Sequence, residues 1–260
     1  MSASFKGFQK EELLSIFKTM ATSRRTDEKM LTLLRQGKSF FHIGASGHEG
    51  AQLACAMQMN SKQDWSYPYY RDQTMVMGLG MTTEELFLGF LAKADDPGSG
   101  GRQLPQHYGQ KDLNIVSQSS PTGTQYLQAV GTAMATRQTD KNAIVYVSSG
   151  EGTTSQGEFH EALNWAGREK LPVLFHIEDN GFAISVPKSS QTAEGSVYDM
   201  VGGYGNLNRF ETDGTDFFDS FTTFKEAISS IRAGKGPAIV VSNVVRLLPH
   251  SSSDDHRKYR

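Results

Sequence analysis

The chain holds an acid and an amide placed to share one metal ion. Gly150-Glu151-Gly152 follows the apolar run at 143–147, and Asp179-Asn180-Gly181 follows the apolar run at 173–177. A carboxylate, an amide oxygen and a nearby backbone carbonyl are hard oxygen donors, which suit Mg²⁺ or Ca²⁺ and not zinc. Mg²⁺ keeps coordination positions for water and phosphate oxygens. The glycines flanking Glu151 let backbone approach a phosphate closely, and the start of the next helix offers N–H donors. The chemistry implied is a metal-bridged diphosphate.

The elements that must position this pair are legible around it. Both apolar runs are short, rich in β-branched and aromatic residues, and end at glycine or acid, so each reads as a buried strand. Between them residues 158–170 read as a helix with Phe159, Leu163 and Ala166 on one face. This is a βαβ unit with parallel neighbouring strands. Ligands of such sheets bind beyond the carboxyl ends of the strands, where Glu151 and Asn180 converge. Elsewhere the spacing predicts a pair of scaffold helices over 10–36 and helices over 51–59, 82–94, 127–137 and 217–232. It predicts a short edge strand at 209–212, irregular structure over 187–205 and a strand over 237–245. The fold class is α/β: a mainly parallel sheet with helices on both faces.

Composition bounds the function. With 260 residues, 37% of them hydrophobic, the chain reads as one globular domain with a sizeable core. A formal net charge of −2 gives no reason to expect a nucleic-acid or anionic-membrane partner. The lone Cys55 lies in an apolar run and reads as a packed thiol in a reducing compartment. With no secretory segment and no long apolar span, the expected location is cytoplasmic.

Other clusters carry open readings. His42, in the glycine-rich loop before the 51–59 helix, reads as an active-site group or as a bystander, and Glu49 orders that loop or caps the helix. Tyr70-Arg71 reads as a diphosphate clamp or a surface loop, because guanidinium donates parallel hydrogen bonds to phosphate oxygens. His107 sits in a Pro/Gly-bounded loop. The hydroxyl-rich stretch from Ser117 to Gln125 reads locally as a helix N-cap. The stretch from Arg246 to Asp255 reads locally as a polar tail.

The motif of Gly150-Glu151-Gly152 with Asn180 at the far end of the unit resembles the thiamin diphosphate motif. EFHEALNWA and NGFAISVP resemble the α component of 2-oxo acid dehydrogenase E1 enzymes, branched-chain or pyruvate type. The resemblance implies thiamin diphosphate and Mg²⁺ as cofactors, with Glu151, Asn180 and the Phe182 carbonyl as metal ligands. It places Tyr70, Arg71, Ser120, Thr122, Gly150, Glu151, Gly152, Thr153, Asn180, Phe182, Ile184 and His250 about the cofactor. His250, in a loop of form His-Ser-Ser-Ser-Asp-Asp, and His42 are the implied catalytic histidines. Ser119, Pro121, Thr124 and Gln125 match a K⁺ loop of branched-chain members, and a neutral oxygen cage suits that weakly charged ion. Ser251 matches a phosphorylated serine of some members, where a phosphate would add roughly −1.5 to −2 charge.

The implied reaction is oxidative decarboxylation of a 2-oxo acid, the cofactor carrying the carbanion chemistry. The acyl group then passes to a lipoyl group on an E2 partner, and an E1 β component completes the site in an α2β2 assembly. Departures from the pattern are Glu151 for the commoner Asp, Glu178 where some members have Arg, Asp179 for Asn, and Pro249 for Gly or His. Glu178 and Asp179 are expected to weaken cofactor binding. The chain stops about where family α components continue into more helices, as a fragment or the front of an α–β fusion would. The rival readings are a transketolase-type thiamin enzyme and a non-catalytic assembly module with a decayed site.

Overall fold

The computed structural model describes residues 4–140 and 142–260. Its helices are α1 (Lys10–Arg35), α2 (Glu49–Ala56), α3 (Gln73–Leu79), α4 (Thr83–Phe90), α5 (Thr124–Thr139), α6 (Gly157–Glu169), α7 (Lys188–Gln191), α8 (Val197–Met200) and α9 (Phe217–Arg232). Its strands are β1 (Trp65–Tyr67), β2 (Val145–Gly150), β3 (Val173–Asp179), β4 (Phe182–Ala183), β5 (Val186–Pro187), β6 (Asn208–Asp213) and β7 (Ala238–Asn243). The main sheet has the order β1-β2-β3-β7-β6, every neighbouring pair parallel. β4 and β5 form a small antiparallel hairpin immediately after β3.

Strand alternation divides the core between the two faces of the sheet. Tyr146, Leu174, Ala238 and Val240 face α2, α3 and α9, packing with Cys55, Met75 and Phe224. Val145, Val147, Phe175, Ile177 and Val241 face α5 and α6, packing with Tyr126, Phe159 and Leu163. β3 is buried along its whole length. The βαβ unit therefore forms as its periodicity demands, and Cys55 is a buried free thiol whose pKa burial pushes well up.

Two expectations are corrected, and one strand is unforeseen. Residues 10–36 form one helix, α1, opened by a capping box of Gln9 and Glu12, not a pair. The stretch 187–205 carries α7 and α8. β1 goes unseen in the sequence because it is only three residues long. No described helix is long and apolar enough to cross a membrane.

The register explains how distant residues meet. Gly150 pairs with Glu178, and Asp179 pairs with Asn243. The residue after each strand end thus falls at one edge of the sheet: Glu151 after β2 and Asn180 after β3, with Arg246 a few residues beyond β7.

Candidate functional site

A cavity of about 260 Å³ opens at this carboxyl edge. Its wall comprises Tyr69, Tyr70, Arg71, Thr122, Gly150, Glu151, Gly152, Thr153, Asn180, Phe182, Ala183, Ile184, Arg246 and His250.

Glu151 and Asn180 meet there. The Asn180 backbone N–H donates to Glu151 Oε2 at 3.1 Å. Glu151 Oε1 and Asn180 Oδ1 are both buried with no hydrogen-bond partner. A buried polar atom left unsatisfied costs about 1–3 kcal/mol, so a ligand that satisfies both oxygens is expected here. Burial pushes the Glu151 carboxyl above its usual range, and a cation alongside would restore its charge. The Phe182 carbonyl accepts only a long 3.4 Å contact from Arg246 Nη1. Carboxylate, amide oxygen and carbonyl together fit a hard divalent cation. Among the described residues no group of three or more His, Cys, Asp or Glu side chains could hold a metal, so a softer site of that kind does not compete.

The turn carrying Glu151 is built differently from the sequence expectation. β2 runs into a 3₁₀ turn, Glu151–Ser155, and α6 starts only at Gly157. A Cβ on Gly152 would lie 2.8 Å from the Ala183 Cβ. Gly152 is therefore small so that the turn can press against the β4–β5 hairpin, whereas a Cβ on Gly150 would meet nothing nearer than 3.8 Å. Gln191 Nε2 ties the turn to α7, donating to the carbonyls of Glu151 at 3.1 Å and Gly152 at 2.9 Å. Ile184 sits at the hairpin tip with φ +56°, a left-handed conformation that strains a β-branched residue by about 1–2 kcal/mol.

The cations of the wall are buried and have no acidic partner among the described residues. Arg71 donates through Nη1 to the Gly44 carbonyl (2.5 Å) and through Nη2 to the His250 carbonyl (2.9 Å). Arg246 donates through Nη2 to the Ile184 carbonyl (2.8 Å) and the Tyr259 hydroxyl (3.0 Å). His250 Nδ1 lies 3.1 Å from Arg71 Nη2. Burial, then Arg71 and Arg246, lower its pKa to about 4. At neutral pH the ring is uncharged; Nδ1 accepts from the guanidinium and Nε2 carries the proton. Guanidiniums buried without carboxylates suit an anion in this cavity.

Residues 17–260 match the family model described as Dehydrogenase E1 component. The chain belongs to this family. It is 42% identical over 254 residues to the 2-oxoisovalerate dehydrogenase subunit alpha of Bacillus subtilis, covering 98% of this chain and 77% of that protein. The mitochondrial 2-oxoisovalerate dehydrogenase subunit alpha of Caenorhabditis elegans is 35% identical, with 97% of this chain and 58% of the relative covered. The pyruvate dehydrogenase E1 component subunit alpha of Staphylococcus aureus is 32% identical, covering 96% and 65%. The chain thus spans less than two thirds of these latter two. Among solved structures, transketolase of Campylobacter jejuni superposes with a TM-score of 0.64 at 16% identity, covering 88% of this chain and 37% of that one. A transketolase mutant of Pichia stipitis gives 0.65 at 19%, covering 87% and 36%. These share the thiamin diphosphate-binding α/β fold.

In this E1 chain Tyr70, Arg71, Thr122, Gly150, Glu151, Gly152, Thr153, Asn180, Phe182, Ile184 and His250 all lie on one wall. Ser120 does not; its hydroxyl bonds His107 Nε2 at 2.6 Å. His42 lies outside the wall as well, buried with Nε2 2.6 Å from Asp27 Oδ1. Asp27 also accepts from the Ser46 hydroxyl at 2.5 Å, so His42 is tied into a packed polar cluster. In the expected K⁺ loop Thr124 Oγ1 donates to the Pro121 carbonyl (2.9 Å) and lies 2.6 Å from the Ser119 hydroxyl. Gln125 turns away, its amide donating to the Ser148 carbonyl and its oxygen accepting from Gly123 N–H.

The acids at 178 and 179 do not face the cavity. Glu178 is fully buried and accepts from Tyr69 OH (2.9 Å) and Gln52 Nε2 (3.0 Å), with His48 Nδ1 in a short contact. Burial raises its pKa to about 7, and burial together with Glu178 pushes neighbouring Asp72 well up. Asp179 is covered by Lys188 Nζ at 2.6 Å. Neither acid lines the cavity, although the Asp179 charge still bears on Glu151 and adds to burial in raising its pKa.

Tyr69, Ala183 and Arg246 are wall residues that the sequence did not disclose. Arg246 follows a strand end, as Glu151 and Asn180 do, and that position was the available signal.

Proposed function

We propose that this chain is the α part of a thiamin diphosphate-dependent 2-oxo acid dehydrogenase E1, holding the cofactor's diphosphate through Mg²⁺. The observation that carries this reading is the pair of partnerless buried oxygens, Glu151 Oε1 and Asn180 Oδ1, in a cavity walled by unpaired guanidiniums. Glu151, Asn180 and the Phe182 carbonyl hold the metal. Arg71 and Tyr70 bind phosphate oxygens, and Thr122, Thr153 and Ile184 fit the remainder of the cofactor. Thiamin diphosphate supplies the electron sink for decarboxylation.

His250, neutral and with its proton on Nε2, donates a hydrogen bond to charge developing on substrate oxygen. The tie from Arg71 to the His250 carbonyl holds that ring at the cavity. The 2-oxo acid is branched, as the names of the Bacillus and Caenorhabditis relatives suggest. The acyl group leaves to a lipoyl-bearing E2, and an E1 β chain completes the active site. Ser119, Pro121 and Thr124 gather oxygens for a K⁺ that stiffens the loop before α5.

The test is calorimetry of thiamin diphosphate with Mg²⁺ on the chain assembled with its β component. Glu151→Ala removes the sole carboxylate of the donor set and should abolish Mg²⁺-dependent binding while the thermal midpoint holds. An unchanged affinity would refute the metal assignment. Turnover of branched 2-oxo acids over pyruvate, read with an artificial electron acceptor, tests the substrate.

A further inference from the structure

We infer that Arg246 is a second diphosphate-binding residue, its Nε–H donating to the anion while its Nη groups hold the β4–β5 hairpin. The inference rests on the thiamin diphosphate reading and adds a residue to it.

Arg246 is 1% exposed, yet it lies on the cavity wall. Its Nη donors are engaged: Nη2 with the Ile184 carbonyl and the Tyr259 hydroxyl, Nη1 with the Phe182 carbonyl. Nε is buried and has no partner. A buried N–H of a charged group without an acceptor is expensive, more so than a neutral one. No described carboxylate forms an ion pair with Arg246 or with Arg71.

Burial and the charge of Arg71 both bear on Arg246 and lower its pKa. Like charges confined together are relieved by an anion that meets both. A diphosphate has phosphoryl oxygens enough for Arg71, Arg246 and a metal together. Because Nη2 holds the Ile184 carbonyl, with Nη1 in a long contact to that of Phe182, the same side chain steadies the hairpin that would present the third metal donor. A lysine reproduces the charge but places its donors on a single nitrogen, without the planar fork that reaches anion and hairpin from separate nitrogens.

The experiment measures affinities for thiamin diphosphate, thiamin monophosphate and inorganic pyrophosphate, each with Mg²⁺, on the assembled protein. Wild type, Arg246→Lys and Arg246→Gln are compared. Loss of a charged hydrogen bond should weaken pyrophosphate and thiamin diphosphate by about 10- to 100-fold, Gln more than Lys. The affinity ratio of thiamin diphosphate to thiamin monophosphate should shrink in both variants. A residue that only braces the hairpin would weaken both thiamin esters alike and leave that ratio unmoved, which overturns the inference. So does pyrophosphate affinity within twofold of wild type in both variants. If Gln prevents folding, the Lys variant carries the comparison. Wild type that binds pyrophosphate through Arg246 but refuses thiamin diphosphate would sink the functional reading and leave the anion site standing. Wild type that binds neither sinks both.

Discussion

Asp179 shows how a residue's identity misleads until its partner is known. As a letter it is a negative charge beside a diphosphate site; in the fold its carboxylate meets Lys188 at 2.6 Å and accepts the Gly181 N–H at 3.0 Å. Lys188→Met should uncover that charge. Breaking a buried pair costs about 3–5 kcal/mol; discounted for the partial exposure of Lys188, the loss should be about 1–3 kcal/mol. Affinity for thiamin diphosphate should fall about 10-fold. Asp179→Asn alone should move affinity less than threefold, and the double variant should recover most of the loss. Calorimetry across this cycle decides, and additive effects would rule out the pairing argument. Glu178 is turned from the cavity for a different reason. Adjacent strand residues point to opposite faces, and Glu178 shares its face with buried His176, under α2 and α9. Its partners His48, Gln52 and Tyr69 come from remote segments that no local pattern connects.

At the scale of elements, the amphipathic ones could be read from the chain and the polar connections could not. β3 and α9 announce themselves by periodicity, and α9 spans the residues expected of it. The hairpin β4–β5 does not, since a two-residue strand pair is stabilised by contacts instead of by its own sequence. Those contacts are the Gly152 turn on one side and Arg246 on the other. Gly152→Ala should force the turn and hairpin apart, since its new methyl would overlap Ala183. Overpacking of this kind costs about 1–3 kcal/mol, and cofactor affinity should drop with it because Phe182 and Ile184 move. Urea unfolding of the variant is the check. Full stability would mean the close approach is not required.

For the whole molecule, the polar layer under the cavity sets the response to acid. His48 and His176 are fully buried, and burial brings each to a pKa of about 3; His250 lies at about 4. The unfolded chain takes up protons near pH 6.5 that the fold refuses, so stability drops as pH falls from about 6.5 toward 3. Glu178 opposes this between about 7 and its ordinary 4.5, because the folded chain protonates it first, and Asp72 and Glu151, whose carboxyls burial also raises, act in the same direction. Each proton that only the unfolded chain takes up costs up to about 1.4 kcal/mol of stability per pH unit. His176→Gln, which keeps a polar group between Tyr146 and Ser242, should flatten the drop in urea midpoint between pH 7 and 5. An identical slope in that variant would remove His176 from the account.

The cavity wall is also a join between remote parts of the sequence. Ser252 N–H bonds the His42 carbonyl at 2.8 Å, Leu247 N–H bonds the Ser46 carbonyl at 3.2 Å, and Arg71 reaches His250. A nascent chain leaving the ribosome therefore builds helices and the first parallel strands long before it owns a binding site. Closure of such distant loops carries the entropy that slows non-local folding. Until residue 250 has emerged, Arg71 has the Gly44 carbonyl but lacks that of His250. During that interval the half-made domain has Glu151 and Asn180 but lacks the part of the cavity wall that Arg246 and His250 supply.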